Sequence, residues 1–195
     1  MTVLLLRHGE TDWNCEPVRC QGWAHVGLNR RGRDQAREVG RLLRDRGLEL
    51  VVTSHLVRAR ETAAILLEEI GGVRLVSDPR LAETHRGDWE AHTYRSVMVE
   101  EPEDWRRYRE DPATFRFPAG ESLVEQQLRV LAAVRDVLRE ARPAVLVAHG
   151  GSIRLVRCFA EDLGIEAFHS MSPGTCSLVE IATDGLLAKI ERFLG

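Results

Sequence analysis

Val3-Leu4-Leu5-Leu6-Arg7-His8-Gly9 opens the chain with an apolar run that stops at a cation, an imidazole and a glycine. Thr2–Leu6 is too short for a helix and too apolar for a strand with a wet face, so it reads as a strand buried on both sides. The same grammar returns at Ala144–Ala148, an apolar run followed by His149-Gly150-Gly151, and at Leu50–Thr53, followed by Ser54 and Arg58. Arg74–Ser77 is a fourth short strand candidate, closed by the turn Asp78-Pro79.

Helical periods fill the gaps between these runs. Asn29 is placed to cap a helix from Arg30 to about Arg46, with Ala36, Val39 and Leu43 on one stripe and Gly47 beyond its end. Leu56 to Ile70 repeats apolar residues at helical spacing until Gly71-Gly72 stops it. Glu121–Ala141 is amphipathic, with Val124, Leu128, Leu131, Val134 and Leu138 expected inward, and a further helix should run from Gly150 to about Leu163. Asp12–Leu28 reads as a loop, and Cys176–Ala182 with Leu186–Arg192 as a hairpin near an open sheet edge, turning at Asp184-Gly185. Leu81–Phe117 is irregular apart from a helix near Glu103–Arg109. Strands alternating with helices predict an α/β three-layer sandwich: a largely parallel central sheet, helices on both faces, and a helical and loop insertion (81–117) capping the C-terminal edge. Residues 1–195 are read as one domain.

Composition narrows the function classes. A formal net charge of −3 offers no basic field for nucleic acid. The longest apolar runs are five residues, against the roughly 20 that a membrane span needs, so a cytoplasmic protein without membrane partners is expected. Four cysteines, at 15, 20, 158 and 176, are too sparse for a disulfide scaffold. Free thiols are expected, with Cys158 packed on a helix and a Cys15–Cys20 bridge the one conceivable pairing.

In open α/β sheets ligands bind beyond the carboxyl ends of the strands. That rule gathers Arg7-His8, Ser54 to Arg58 and His149-Gly150 on one rim. Singly, each residue has a bland explanation: a loop histidine, a solvated arginine, a surface carboxylate at Glu83. Together they suit one substrate type. Two arginines offer forks for a phosphoryl group, they favour neutral imidazole by repelling its proton, and they repel a metal ion. His8 is then the candidate nucleophile and Glu83, protonated in a pocket, the candidate acid for a leaving oxygen. Gly150 opens a helix whose amides attract phosphate.

Leu6-Arg7-His8-Gly9-Glu10-Thr11-Asp12-Trp13-Asn14 resembles the signature of the histidine phosphatase superfamily, which includes cofactor-dependent phosphoglycerate mutases. The resemblance continues through Gln21-Gly22, Gly32 with Gln35-Ala36, Ser54–Thr62, Leu81-Ala82-Glu83, Gly87–Glu90, Gly120-Glu121-Ser122 and Ala148–Gly151, in the family's order. It implies a metal-free, cofactor-free transfer in which His8 becomes phosphohistidine. Arg7, Arg58, Asn14 and His149 would hold phosphoryl oxygens, Gln21, Gly22 and Gly150 would line the phosphate site, and Glu83 would be acid and then base. Four positions depart from the family pattern: His25 and Gly27 replace its Asp and Pro, and Ala91 and Ala119 stand where it usually has glycine.

Glu83 and His149 are 66 residues apart, a spacing that resembles the phosphatase branch, since mutases usually carry a longer insertion. Gln21-Gly22 also resembles phosphatases. A phosphomonoesterase acting on a small phosphate ester is therefore expected, as a monomer or homodimer, with Trp105–Ser122 similar to α-ribazole phosphatase-like and broad-specificity members. The alternatives are a phosphoglycerate mutase, a non-catalytic phosphoester-binding protein, and a hydrolase using His8, His149 and Glu83 on a metal. Trp105, Tyr108, Phe115 and Phe117 either line an apolar leaving-group site or pack the insertion. His25, His55, His85, His92 and His169 receive no role.

Overall fold

The computed structural model describes residues 2–195. Five strands, β1 (Val3–Arg7), β2 (Leu50–Thr53), β3 (Arg74–Ser77), β4 (Ala144–Ala148) and β5 (Leu178–Ile181), form one sheet in the order β3-β2-β4-β1-β5. All neighbours are parallel except β5, which runs antiparallel along the β1 edge. The register brings the rim together. Arg7 pairs with Ala148 and Thr53 with Val147, so His8, His149 and Ser54 leave the sheet side by side.

Alternation along each strand divides the core in two. Leu4, Leu6, Val51, Val145 and Val147 face α1 (Arg30–Leu43) and α2 (Val57–Ile70), meeting Ala36, Val39, Leu43, Ala59, Ala63 and Leu66. Val3, Leu5, Leu50, Val52 and Leu146 face the other way, onto Leu131, Val134, Ile153, Val156 and Ile190. Those residues belong to α5 (Leu123–Glu140), α6 (Gly150–Ala160) and α7 (Leu186–Leu194). Each fully buried Leu or Val contributes about 1.5–3 kcal/mol. Helix starts follow local chemistry: Asn29 accepts from Gly32 N–H, and Ser122 with Glu125 forms a capping box on α5.

Between β3 and α5 the chain adds α3 (Tyr94–Glu100) and α4 (Pro102–Glu110), the latter close to the helix read from Glu103–Arg109. Trp89, Tyr108, Phe115 and Phe117 are buried together there with Leu155 and Phe168, and Trp105 packs against them. Of the two readings of these aromatics, packing is the one observed. None of Trp105, Tyr108, Phe115 or Phe117 lines the polar cavity described below.

Two sequence readings are corrected. Leu186–Arg192 is helical rather than the second strand of a hairpin: Leu186 and Ile190 are buried at spacing four, with Leu187 and Leu194 against the same core, which a strand could not turn inward. On α5 the inward stripe runs through Leu123, Gln127, Val130, Leu131, Val134 and Leu138, and Val124 and Leu128 are exposed. Two buried glutamines on that stripe, Gln126 and Gln127, displaced the apolar pattern. The expectation of free thiols is met: Cys15 is exposed and Cys20 buried, and they do not pair.

Candidate active site

Beyond the carboxyl ends of β1 and β4 lies a cavity of about 160 Å³ lined by Arg7, His8, Asn14, Gln21, Gly22, Arg58, Glu83 and Gly150, together with Arg19, Arg86, Tyr94 and Arg154. A wider groove of about 770 Å³ among His25, Thr53, His55, Arg60 and Ser77 contains none of the groups that sequence singled out as catalytic.

The His8 ring is set by one bond. Its Nδ1 lies 2.7 Å from the Gly9 carbonyl, which can only accept, so the neutral ring carries its proton there and keeps the Nε2 lone pair. Burial, then the charges of Arg58 and Arg7, hold the His8 pKa well below the ordinary 6.5. The ring is neutral and nucleophilic at neutral pH.

His149 does not itself line the cavity. Its ring lies 5.2 Å from that of His8, its Nε2 is 2.9 Å from Ser54 Oγ, and its Nδ1 is buried without a partner. Leu56 N–H donates to Ser54 Oγ, whose hydroxyl proton is free for His149 Nε2, which leaves the imidazole proton on Nδ1. Burial and the Arg58 charge lower its pKa too.

The arginines carry charge into this space without counter-ions. Arg58, fully buried on α2, donates to the carbonyls of Gly22 (2.7 Å) and Ala24 (3.2 Å), and its Nε has no partner. Burial lowers its pKa to about 10, so it stays charged at neutral pH. Arg7 donates to the Pro173 carbonyl at 2.7 Å and likewise leaves Nε unpaired. Gln21 Oε1 is buried and unpaired, while Asn14 Oδ1 accepts from the Thr11 amide, so the Asn14 NH2 is the end left for a ligand. The loop around Gly22, where His25 and Gly27 depart from the resemblance, keeps its place because Arg58 holds its carbonyls and Glu90 accepts from Trp23 N–H.

Glu83 is gripped on several sides. Thr84 N–H donates at 2.9 Å, Gly151 N–H at 3.2 Å and Gln126 Nε2 at 3.4 Å. A Cβ at position 151 would run into the Glu83 carboxylate, which is why a glycine stands there. Arg129 secures the segment by donating to the carbonyls of Arg80, Ala82 and Glu83. Burial opposes ionisation of Glu83, but Arg86, the two amides and Arg58 outweigh it and hold the pKa at about 2. This corrects the expectation of a protonated acid: in the free site Glu83 is a carboxylate.

The cavity thus presents a free imidazole lone pair, unpaired guanidinium N–H groups and one carboxylate. A sequence model of the histidine phosphatase superfamily, branch 1, matches residues 3–193. The chain belongs to the histidine phosphatase superfamily. Its relatives in that superfamily include a probable phosphoglycerate mutase GpmB of Enterobacter sp., 38% identical over 174 residues that cover 86% of this chain and 77% of the relative. Among solved structures, the mycobacterial glucosyl-3-phosphoglycerate phosphatase in complex with VO3 aligns with a TM-score of 0.82 and 33% identity, covering 93% of this chain and 92% of that one. The α-ribazole phosphatase of Shigella flexneri aligns with the same TM-score at 28% identity, covering 93% and 90%. Homologues and structural neighbours of this superfamily member include phosphatases, and its five-stranded, mostly parallel sheet matches theirs.

The sequence reading missed Arg86, Arg154, Arg19 and Tyr94. Arg154 carried a signal: it lies four residues after Gly150, so a helix sets both on one face. Arg86, three residues after Glu83 in a segment without period, had none.

Proposed function

We propose that the chain hydrolyses phosphate monoesters of small metabolites through a phosphohistidine on His8. The observation that carries this is the His8 Nε2 lone pair opening onto a cavity whose guanidinium N–H groups lack partners. Nε2 attacks phosphorus as the ester P–O bond breaks. Arg7, Arg58 and the His149 Nδ1–H take the phosphoryl oxygens, an arrangement that relies on positioning and charge rather than on a metal. Glu83 gives a proton to the leaving oxygen. It acquires that proton from the ester, whose second ionisation lies near 6 and whose negative charge offsets the arginine field that keeps Glu83 ionised. Back as a carboxylate, Glu83 takes a proton from water as the water oxygen attacks phosphorus, the N–P bond breaks, and phosphate and neutral His8 return.

Residues 81–117 supply Glu83, Arg86 and Tyr94 to the cavity, which supports reading them as its cap. No helix among the described residues is long and apolar enough to cross a membrane, in keeping with a diffusible substrate. The test is phosphate release from an aryl phosphate, 3-phosphoglycerate, sugar phosphates and α-ribazole phosphate, with excess chelator and with His8→Ala alongside. Chelator-resistant release that His8→Ala abolishes is expected. Release that disappears with chelator, or persists without His8, would overturn the mechanism. Isomerisation of phosphoglycerate without release would assign a mutase, and no turnover at all a phosphoester-binding protein.

A further inference from the structure

We propose that Gln126, held by Thr84 and Ser152, is a positioning residue that turns Oε2 of Glu83 to the substrate and makes it the oxygen that carries the proton. This role rests on the hydrolase reading above and adds to it the atom through which the acid works.

Gln126 stands on the inward face of α5, among Leu123, Val130 and Leu131, where a leucine would pack without a polar group to satisfy. Its side chain is fully buried, and those of Thr84 and Ser152 are buried with it. An amide without partners there would cost about 1–3 kcal/mol. Here both of its ends are bonded. Thr84 Oγ1 lies 2.5 Å from Gln126 Oε1, which can only accept, so the hydroxyl donates to it. At the other end Nε2 lies 3.3 Å from the Ala82 carbonyl, 3.2 Å from Ser152 Oγ and 3.4 Å from Glu83 Oε1. The Ser152 hydroxyl proton goes to the Leu81 or Ala82 carbonyl, which leaves its oxygen to accept.

These bonds run in one direction. With the amide turned over, its oxygen would face the Ala82 carbonyl and the Glu83 carboxylate with no proton between them. The network therefore fixes N–H, and not C=O, towards Glu83.

The two oxygens of the carboxylate become unequal as a result. Oε1 accepts from Thr84 N–H at 2.9 Å and from Gln126, and it lies where a Cβ on Gly151 would overlap it. Oε2 has a single donor, Gly151 N–H at 3.2 Å. Oε1 is filled from the protein side, and the spare lone pair is on Oε2. Burial opposes the charge on Glu83, while Arg86, the two amides and Arg58 maintain it. A bond of 3.4 Å adds direction more than acidity. In the reaction, Oε2–H passes its proton to the leaving oxygen as the P–O bond breaks. Oε2 then takes a proton from water as the water oxygen attacks phosphorus.

The test compares kcat/KM for an aryl phosphate with that for whichever alkyl ester of the panel above turns over fastest, across pH. Gln126→Leu should slow the alkyl ester about 10-fold, the worth of one hydrogen bond to a charged group, and the aryl ester far less. The pH at which each profile turns should stay in place, because direction and not acidity is lost. In a Glu83→Gln background, adding Gln126→Leu should leave the alkyl-to-aryl ratio where Glu83→Gln put it, since the effect passes through Glu83. Thr84→Val removes the donor that orients the amide and should lower the ratio in the same direction; it carries the test if Gln126→Leu does not fold. Equal slowing of both esters, an unmoved ratio, or a further fall in the Glu83→Gln background would overturn this role and spare the hydrolase reading. A wild-type protein that releases no phosphate would fail the hydrolase reading, and this role with it. Turnover of aryl esters alone would remove this role and leave the nucleophile standing.

Discussion

Two sets of arginines in this molecule are treated in opposite ways. Arg80 is bound to Asp78 at 2.7 Å and to Asp136 at 2.8 Å, its charge matched by carboxylates at a partly exposed surface. In the cavity Arg58 and Arg7 meet only carbonyls, and Arg86 only a hydroxyl and rings. The first arrangement is complete in the free protein. The second is complete only when a ligand brings the negative charge, so the fold holds a cost that substrate removes. The contrast separates an ion pair that ties the surface together from one half of an ion pair kept for function.

The largest break in that contrast is Arg58→Ala, expected to lower kcat/KM for an aryl phosphate by about 10³-fold, with Arg58→Lys recovering only part because an ammonium lacks the fork. The same substitution should weaken the ligand-free fold less than activity, since no carboxylate loses its partner and the loss is confined to the hydrogen bonds on the Gly22 and Ala24 carbonyls. A denaturation midpoint that collapses along with activity would put Arg58 in the same class as Arg80.

Next in size is Glu83→Gln. Alkyl esters should slow by about 10²- to 10⁴-fold and aryl esters much less, because a phenolate leaves without a proton. Equal slowing of both would move the acid elsewhere.

Acid should expose the cavity while sparing the surface pairs. His8 and His149 have native pKa values well below 6.5, so the unfolded chain binds more protons once pH falls below 6.5. Stability should therefore decline as pH drops through that value, by about 1.4 kcal/mol per pH unit for each imidazole. Urea midpoints between pH 7 and 5 measure the slope, and His149→Asn should reduce it by one imidazole's share, with His8, His55 and His169, whose pKa values are also lowered, supplying the rest. An unchanged slope in that variant would mean that His149 is protonated in the native state.

The smallest effect lies at two alanines. Ala91 and Ala119 have φ of +68° and +53°, the left-handed region where the resemblance expects glycine. Ala91→Gly and Ala119→Gly should each stabilise by about 0.5–1 kcal/mol, seen as a rise of roughly 2–4 °C in Tm for the larger value. A fall in Tm would show that the methyl groups pack usefully enough to offset the strain.

What could be read from the chain alone was local or periodic. Buried strands are short apolar runs, and parallel strands that stop in register set the residues after them side by side; this is why His8, Arg58 and His149 converge as the motifs implied. Helix stripes revealed α1 and α2, and the ordered blocks revealed the superfamily. Three-dimensional packing decided the rest. The final segment became α7 because a core lay on one side of it, which a short alternating pattern cannot announce. Gln126 faces inward because Glu83, Ala82 and Ser152 are there to meet it. Whether an arginine is paired depends on which carboxylates the fold brings near, and sequence spacing does not encode that. Arg86, buried with no carboxylate in ion-pair contact, looks in the sequence like any of the solvated arginines around it. Only the tertiary structure makes it one of the cavity's unpaired cations.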